Sequence, residues 1–380
     1  MKRIQGIILS LTMITALAGC GSSSSTVSSE PASQSSASAS SAVTETGSLP
    51  TEGKKIAYIL NVASSDIFQM AVQGAQDTAK ALGMTVDVYF TDTDNVKFQD
   101  FVNTCASQDY DAMFLSHGNQ ETAYDLVNML TEKGIKVVCF DTKFVDAAGN
   151  DTSIDGVTQM FQDDQKMADL LLDYVCNTLY ADKVANGEPV NVLKIWRGPG
   201  ISPFDRRQET YKKYEDEGLI NTLEVIAPSD PANAEASMAQ VMASVIPKYP
   251  EGTIDAVWSC YDAYARGAYT AITEANRTDF PLVSVDISNQ DINYMMDGTN
   301  VWKACATVDF TTVGEQGIRL LAMKLAGEDT EAVYNLTPSL VTADELEPGA
   351  TVLTLKDIIP GYGVNNDHIS DWMKPYISEK

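Results

Sequence analysis

Lys55-Ile-Ala-Tyr-Ile-Leu60, then Ile67 to Leu82 with apolar residues at helical spacing, then Gly83 and a second β-rich run from Met84 to Phe90, is the stretch that decides the fold. An apolar run of six residues reads as a buried strand, the spacing after it reads as an amphipathic helix, and the glycine reads as its stop. The alternation continues with a helix over Lys97–Ser107, a strand over Ala112–Ser116, a helix over Thr122–Lys133 and a strand over Val137–Phe140. Strands alternating with helices of this length predict βαβ units and a parallel sheet. The pattern then restarts. Helices are predicted over Asp163–Leu179, Arg206–Glu217, Asn233–Ile246, Ala263–Ala275 and Thr312–Ala326, with strands at Val190–Ile195, Leu223–Ile226, Ala256–Ser259, Leu282–Asp286 and Trp302–Val308. The expected fold class is α/β, with two doubly wound parallel-sheet lobes in tandem and a cleft between them.

Composition narrows the function. The 380 residues carry 26 Lys plus Arg against 52 Asp plus Glu, a formal charge of −26, with a 44% hydrophobic share. A chain this acidic lacks the cationic face that phosphate binding needs, so nucleic acid is excluded as a partner. Its two histidines, His117 and His368, leave little room for a multi-histidine metal site, and no cofactor or metal is expected. The cysteines at 105, 139, 176, 260 and 305 show no CxxC pairing, and several sit in apolar runs, which predicts buried free thiols.

The N-terminus answers where the protein works. Lys2 and Arg3 precede a short apolar stretch that ends in Leu17-Ala18-Gly19-Cys20. A run this short with a small-residue close is an export signal, not a spanning helix. Leu-Ala-Gly-Cys resembles the bacterial lipobox, which implies acylation of Cys20 and a lipid anchor on the extracytoplasmic face of the cell membrane. Residues 21–53 are dominated by Ser, Ala, Thr and Gly and read as a flexible tether after a signal peptide of residues 1–20. Thirty such residues reach roughly 30 Å as a random coil.

In open parallel sheets, ligands bind outside the carboxyl ends of the strands. The polar groups found there are Asp141, Lys143, Arg197, Tyr261, Asp262, Asp286 and Asp309, with Trp196 closing another strand. Carboxylates that accept from hydroxyls, basic donors and an aromatic face make up the chemistry that holds a polyol.

From Lys54 to Val341 the chain resembles the ribose/galactose-type periplasmic binding proteins, the type I solute receptors of ABC importers. The resemblance rests on the order of the first strand with Ala75–Gly83, Val138-Cys-Phe-Asp141, Asp163-Asp164, Ala256-Val-Trp-Ser-Cys-Tyr-Asp262 with Gly267-Ala268, Val285-Asp286, and Gly314. It implies an N-terminal lobe of residues 54–162 plus 310–340 and a C-terminal lobe of residues 163–309 plus 341–380, the latter with a C-terminal extension. Crossovers would fall near Gln162-Asp163, Val308–Phe310 and Leu340–Thr342 and form a three-segment hinge. Carried over by position, the sugar site falls on Ser65, Phe68, Asp141, Lys143, Arg206, Arg207, Tyr261, Asp262, Asp286 and Asp309. One of the family's paired stacking aromatics is replaced by Ile67, and Trp196 or Tyr261 could supply the missing ring. The implied function is capture of a sugar, polyol or amino sugar by a monomer that delivers it to an ABC permease. A sensory receptor, and less so a glycosidase using Asp141 and Asp286 as its pair, are the alternatives. No G-x-S-x-G, H-E-x-x-H, P-loop or G-x-G-x-x-G helix start appears.

Overall fold

The computed structural model describes residues 48–62, 66–146 and 148–380. The expectations for the signal, Cys20, most of the tether and Ser65 lie outside these residues.

Strand β1 (Lys55–Leu60) buries every residue except Lys55, which is why its pattern is a continuous apolar run without alternation. It lies between β2 (Thr85–Phe90) and β3 (Ala112–Ser116), and β4 (Lys136–Phe140), β5 (Thr158–Gln162) and β11 (Val333–Leu336) extend the sheet, all parallel. Helices α1 (Asp66–Ala81), α2 (Asn95–Cys105) and α3 (Gln120–Glu132) connect the first four strands. The second sheet has the order β7 (Ile220–Ile226), β6 (Val190–Ile195), β8 (Ala256–Ser259), β9 (Leu282–Val285), β10 (Trp302–Thr307) and β12 (Ser339–Thr342). It is parallel except for β12, which runs antiparallel to β10. Its helices are α4 (Asp164–Asp173), which passes into a π-helical stretch at Tyr174–Leu179, α5 (Ala181–Ala185), α6 (Ser202–Asp216), α7 (Ala234–Val245), α8 (Asp262–Glu274) and α9 (Asn289–Met295).

Two glycines show how tightly the helices pack. A Cβ on Gly314 of α10 (Phe310–Leu325) would lie 1.9 Å from the Ala71 carbonyl of α1, and one on Gly267 of α8 would lie 2.2 Å from the Glu235 carbonyl of α7. Only a residue without a side chain permits such helix crossings, one in each lobe.

The chain passes between lobes at Gln162–Asp164, at Val308-Asp309 and at Thr337-Pro338. The third passage lies just before the expected Leu340–Thr342, because Ser339–Thr342 already pairs with β10. The C-terminal extension divides between the lobes instead of staying with the second. Val352 N–H donates to Asn289 Oδ1 (2.9 Å) on the second lobe. Farther on, Thr312 and Arg319 of α10 donate to the carbonyls of Gly363 and Asn365, and Trp372 donates to Glu328. The tail therefore straps over the hinge, and α11 (Leu355–Ile358) buries Leu355 on the way. All five cysteines of the described body are buried free thiols.

Candidate ligand-binding cleft

Three strand ends turn into the cleft through a left-handed backbone. His117 after β3, Asp141 after β4 and Asp286 after β9 have φ of 58°, 49° and 68°. Such a conformation costs a non-glycine residue of order 1 kcal/mol and is retained where surrounding structure holds it, often at functional sites. The strand ends also place the polar heads side by side. Asp141 Oδ2 accepts from Gln162 Nε2 (2.9 Å) and lies 3.6 Å from His117 Nε2, while its Oδ1 accepts from Arg206 Nη2 of the other lobe (2.8 Å).

The second lobe answers with arginines one turn into α6 and α8. Arg206 donates through Nε to Asp164 Oδ2 (2.8 Å) and through Nη1 to Ser202 (2.6 Å), with its guanidinium 4.3 Å above the Phe161 ring. Arg207, 1% exposed, donates to Asp164 Oδ1 (2.7 Å) and to the Cys260 carbonyl (2.5 Å). Arg266 reaches Asp262 Oδ2 (2.7 Å), Asp291 Oδ1 (3.0 Å) and Glu235 Oε2 (3.0 Å). The arginines are thus engaged by the protein's own acceptors, and charge-assisted geometry fixes them.

Asp286 is the exception. Its Oδ1 is buried with no hydrogen-bond partner among the described residues, and Arg207 Nη2 stands 3.8 Å from its Oδ2, an ion pair beyond hydrogen-bond reach. Burial pushes the Asp286 carboxyl up to about 7, against the pull of Arg207 and with the help of Asp262, Asp164 and Asp141. Burial likewise raises Asp164 to about 6 and holds His117 below the ordinary histidine value. Gln162 Oε1, beside Asp141, is a second buried acceptor without a partner among the described residues. A cavity of about 370 Å³ opens between Asp66, Ile67 and Phe68 on one lobe and Tyr261, Asp262, Arg266 and Ser288 on the other. Phe68 meets His117 and Phe310 edge-on at 5.6 and 5.5 Å, and Tyr261 packs against Phe204 and Tyr264.

Of the residues expected from sequence, Phe68, Tyr261 and Asp262 line this cavity, and Asp141, Arg206, Arg207 and Asp286 are joined in one ion-pair chain through Asp164. Three do neither. Lys143 pairs with Asp151 (2.7 Å) and lines a second hollow of about 280 Å³, whose walls also include Gln162, Asp164 and Arg206. Trp196 is half-buried beneath the Lys194 ammonium, 4.8 Å from its ring. Asp309 caps α10 by accepting from Thr311 N–H (2.8 Å), and Gly363 of the tail packs over it. Arg266, Asp164, Gln162 and His117 were not selected, although Arg266 stands one helical turn after Asp262, the spacing of an ion pair. The buried Ser116 hydroxyl meets its neighbour His117 at Nδ1 (2.7 Å). Among the described residues no cluster of His, Cys, Asp and Glu could hold a metal ion.

Residues 56–329 match the periplasmic binding protein domain. The chain belongs to the periplasmic binding protein family. Within it, this binding protein is 35% identical to a sugar ABC transporter protein of known structure from Yersinia enterocolitica subsp. enterocolitica 8081, over 85% of this chain and 94% of that one, with a TM-score of 0.72. It shares the fold of the 5-methylthioribose transporter solute binding protein from Thermotoga lettingae (23% identity, 85% and 98% of the chains, TM-score 0.71). The same holds for a glucose-galactose binding protein from Geobacillus stearothermophilus (17%, 78% and 99%, TM-score 0.64). No curated protein matches significantly. The family and the 35% identical relative make the chain a solute-binding protein and not an enzyme.

Proposed function

We propose that this binding protein captures a neutral, hydroxyl-rich sugar or polyol, or an amino sugar, between its two lobes and hands it to an ABC-type permease. It works as a monomer, held to the extracytoplasmic face of the cell membrane through acylated Cys20. The 35% identical sugar ABC transporter protein supports the ligand class.

The observation that carries the reading is the excess of acceptors. Asp286 Oδ1 and Gln162 Oε1 lack partners among the described residues, while Arg206, Arg207 and Arg266 already serve carboxylates. A buried acceptor without a donor costs about 1–3 kcal/mol, so a ligand bringing hydroxyl or ammonium donors relieves that cost. A phosphate or carboxylate brings only acceptors and must first displace an internal ion pair. A ligand touching both walls favours the state in which they meet, which hinge crossovers permit.

A thermal-shift panel tests this, since a ligand of the folded form raises the melting temperature. Neutral sugars, polyols and amino sugars are expected to raise it; a response confined to sugar phosphates and sugar acids contradicts the proposal. For the anchor, Cys20→Ser is expected to release the protein from the membrane fraction, and unchanged retention argues against acylation there.

A further inference from the structure

The cleft does not end at Asp66 and Asn289. Both residues also border a neighbouring groove of about 480 Å³, whose other walls include Met70 of α1 and the tail residues Val352, Leu353 and Lys356. The two hollows are chemically unlike. The cleft is walled by Asp262 and Arg266 with the rings of Phe68 and Tyr261, whereas the groove presents the apolar side chains of Met70, Val352 and Leu353 beside Gln69, Gln73, Thr311 and Lys356.

Leu353 is 62% exposed, an isolated aliphatic side chain that burial of a partner would favour. Its backbone is fixed, because the Val352 N–H is held by Asn289 and Leu355, two residues on, is fully buried. The apolar wall is therefore a built surface and not a frayed end. It exists only because the C-terminal extension crosses the hinge at this place.

We propose that the ligand continues from the cleft into this groove: it is a glycoside, a sugar ring bearing an apolar substituent that rests on Met70, Val352 and Leu353. This rests on the sugar-capture reading and adds a second compartment to the same site. The sugar hydroxyls satisfy the acceptors near Asp286, and the substituent covers the aliphatic wall that the tail supplies.

Calorimetric titration of the purified protein with glucose, galactose, ribose and xylose, each beside its phenyl glycoside, tests the inference. The phenyl glycoside of the preferred sugar is expected to bind about tenfold more tightly than the free sugar, the gain of partly burying one ring. Leu353→Asp is expected to bring that ratio to near one, while Leu353→Phe preserves it. A free sugar that binds as tightly as its phenyl glycoside overturns the proposal, as does a ratio unchanged in Leu353→Asp. Failure of every sugar and every glycoside to bind overturns the capture reading, and this one with it.

Discussion

The two lobes share one winding yet face each other with unlike surfaces. The first lobe brings Asp66 at the cavity wall and one buried carboxylate, Asp141, set among the rings of Phe68, His117, Phe140 and Phe310. The second brings Arg207 and Arg266 with Asp164, Asp262, Asp286 and Asp291, and Arg206, which crosses to Asp141. One wall suits the C–H face of a ring and the other suits its hydroxyls. The difference also divides the kinds of energy at stake. Removing an arginine from the second lobe strands buried charge, whereas removing a ring from the first lobe only opens apolar space.

That division orders the expected effects of substitution. Arg207→Ala leaves the buried Asp286 without its cation and Asp164 with Arg206 alone, and is expected to cost about 3–5 kcal/mol of stability in urea denaturation. A loss below about 1 kcal/mol would mean that the second lobe is not held by charge. Asp286→Ala is next. It removes the acceptor meant for the ligand and is expected to weaken sugar binding about 100-fold, roughly 2.7 kcal/mol, without loss of stability at neutral pH.

The sign of the pH dependence follows from the raised carboxyl. Between about 4 and about 7 the folded state holds the Asp286 proton more tightly than the unfolded chain does, so this group's contribution to stability falls as pH rises through that window. Asp286→Asn is expected to remove that part of the fall, as read by melting temperature against pH; an unchanged slope would place the titration elsewhere.

Phe68→Ala, on the first lobe, is expected to weaken binding only about tenfold, the scale of one aromatic contact. If calorimetry shows it to match Asp286→Ala, the contrast between the walls fails. Smallest in its effect on binding is Gly363→Ala, outside both walls. Its φ is 70°, and a Cβ would meet Asp309 Oδ2 at 2.3 Å, so a loss of about 1–3 kcal/mol in stability with little change in affinity is expected.

How much of this was legible before the fold was known depends on what each residue answers to. Strands β1, β3, β4, β6, β8 and β9 are buried on both faces, so their apolar runs reveal them and their ends locate Asp141, Asp262 and Asp286. Strand β5 is equally buried but carries Gln159 and Gln162, whose partners are Phe144 N–H, the Thr152 carbonyl and Asp141, so no apolar run marks it. Asp309 shares the strand-end signature of Asp286 yet caps a helix, because α10 begins one residue later. Lys143 lies two residues past the turn at Asp141, and there it meets Asp151 instead of the cleft. The C-terminal strap was illegible because its anchors, such as Arg319 to the Asn365 carbonyl, join positions 46 residues apart with no periodicity to announce them.

Proton release on binding tests the central claim most directly. A ligand hydroxyl donating to Asp286 favours its ionised form, so at pH 6.5, just below the raised value of about 7, binding must expel a fraction of a proton, and affinity must rise with pH. Calorimetric titration of the preferred neutral sugar in two buffers of different ionisation enthalpy reads that number. The account predicts release that disappears in Asp286→Asn. Proton uptake, or binding without proton exchange in the unaltered protein, would contradict it.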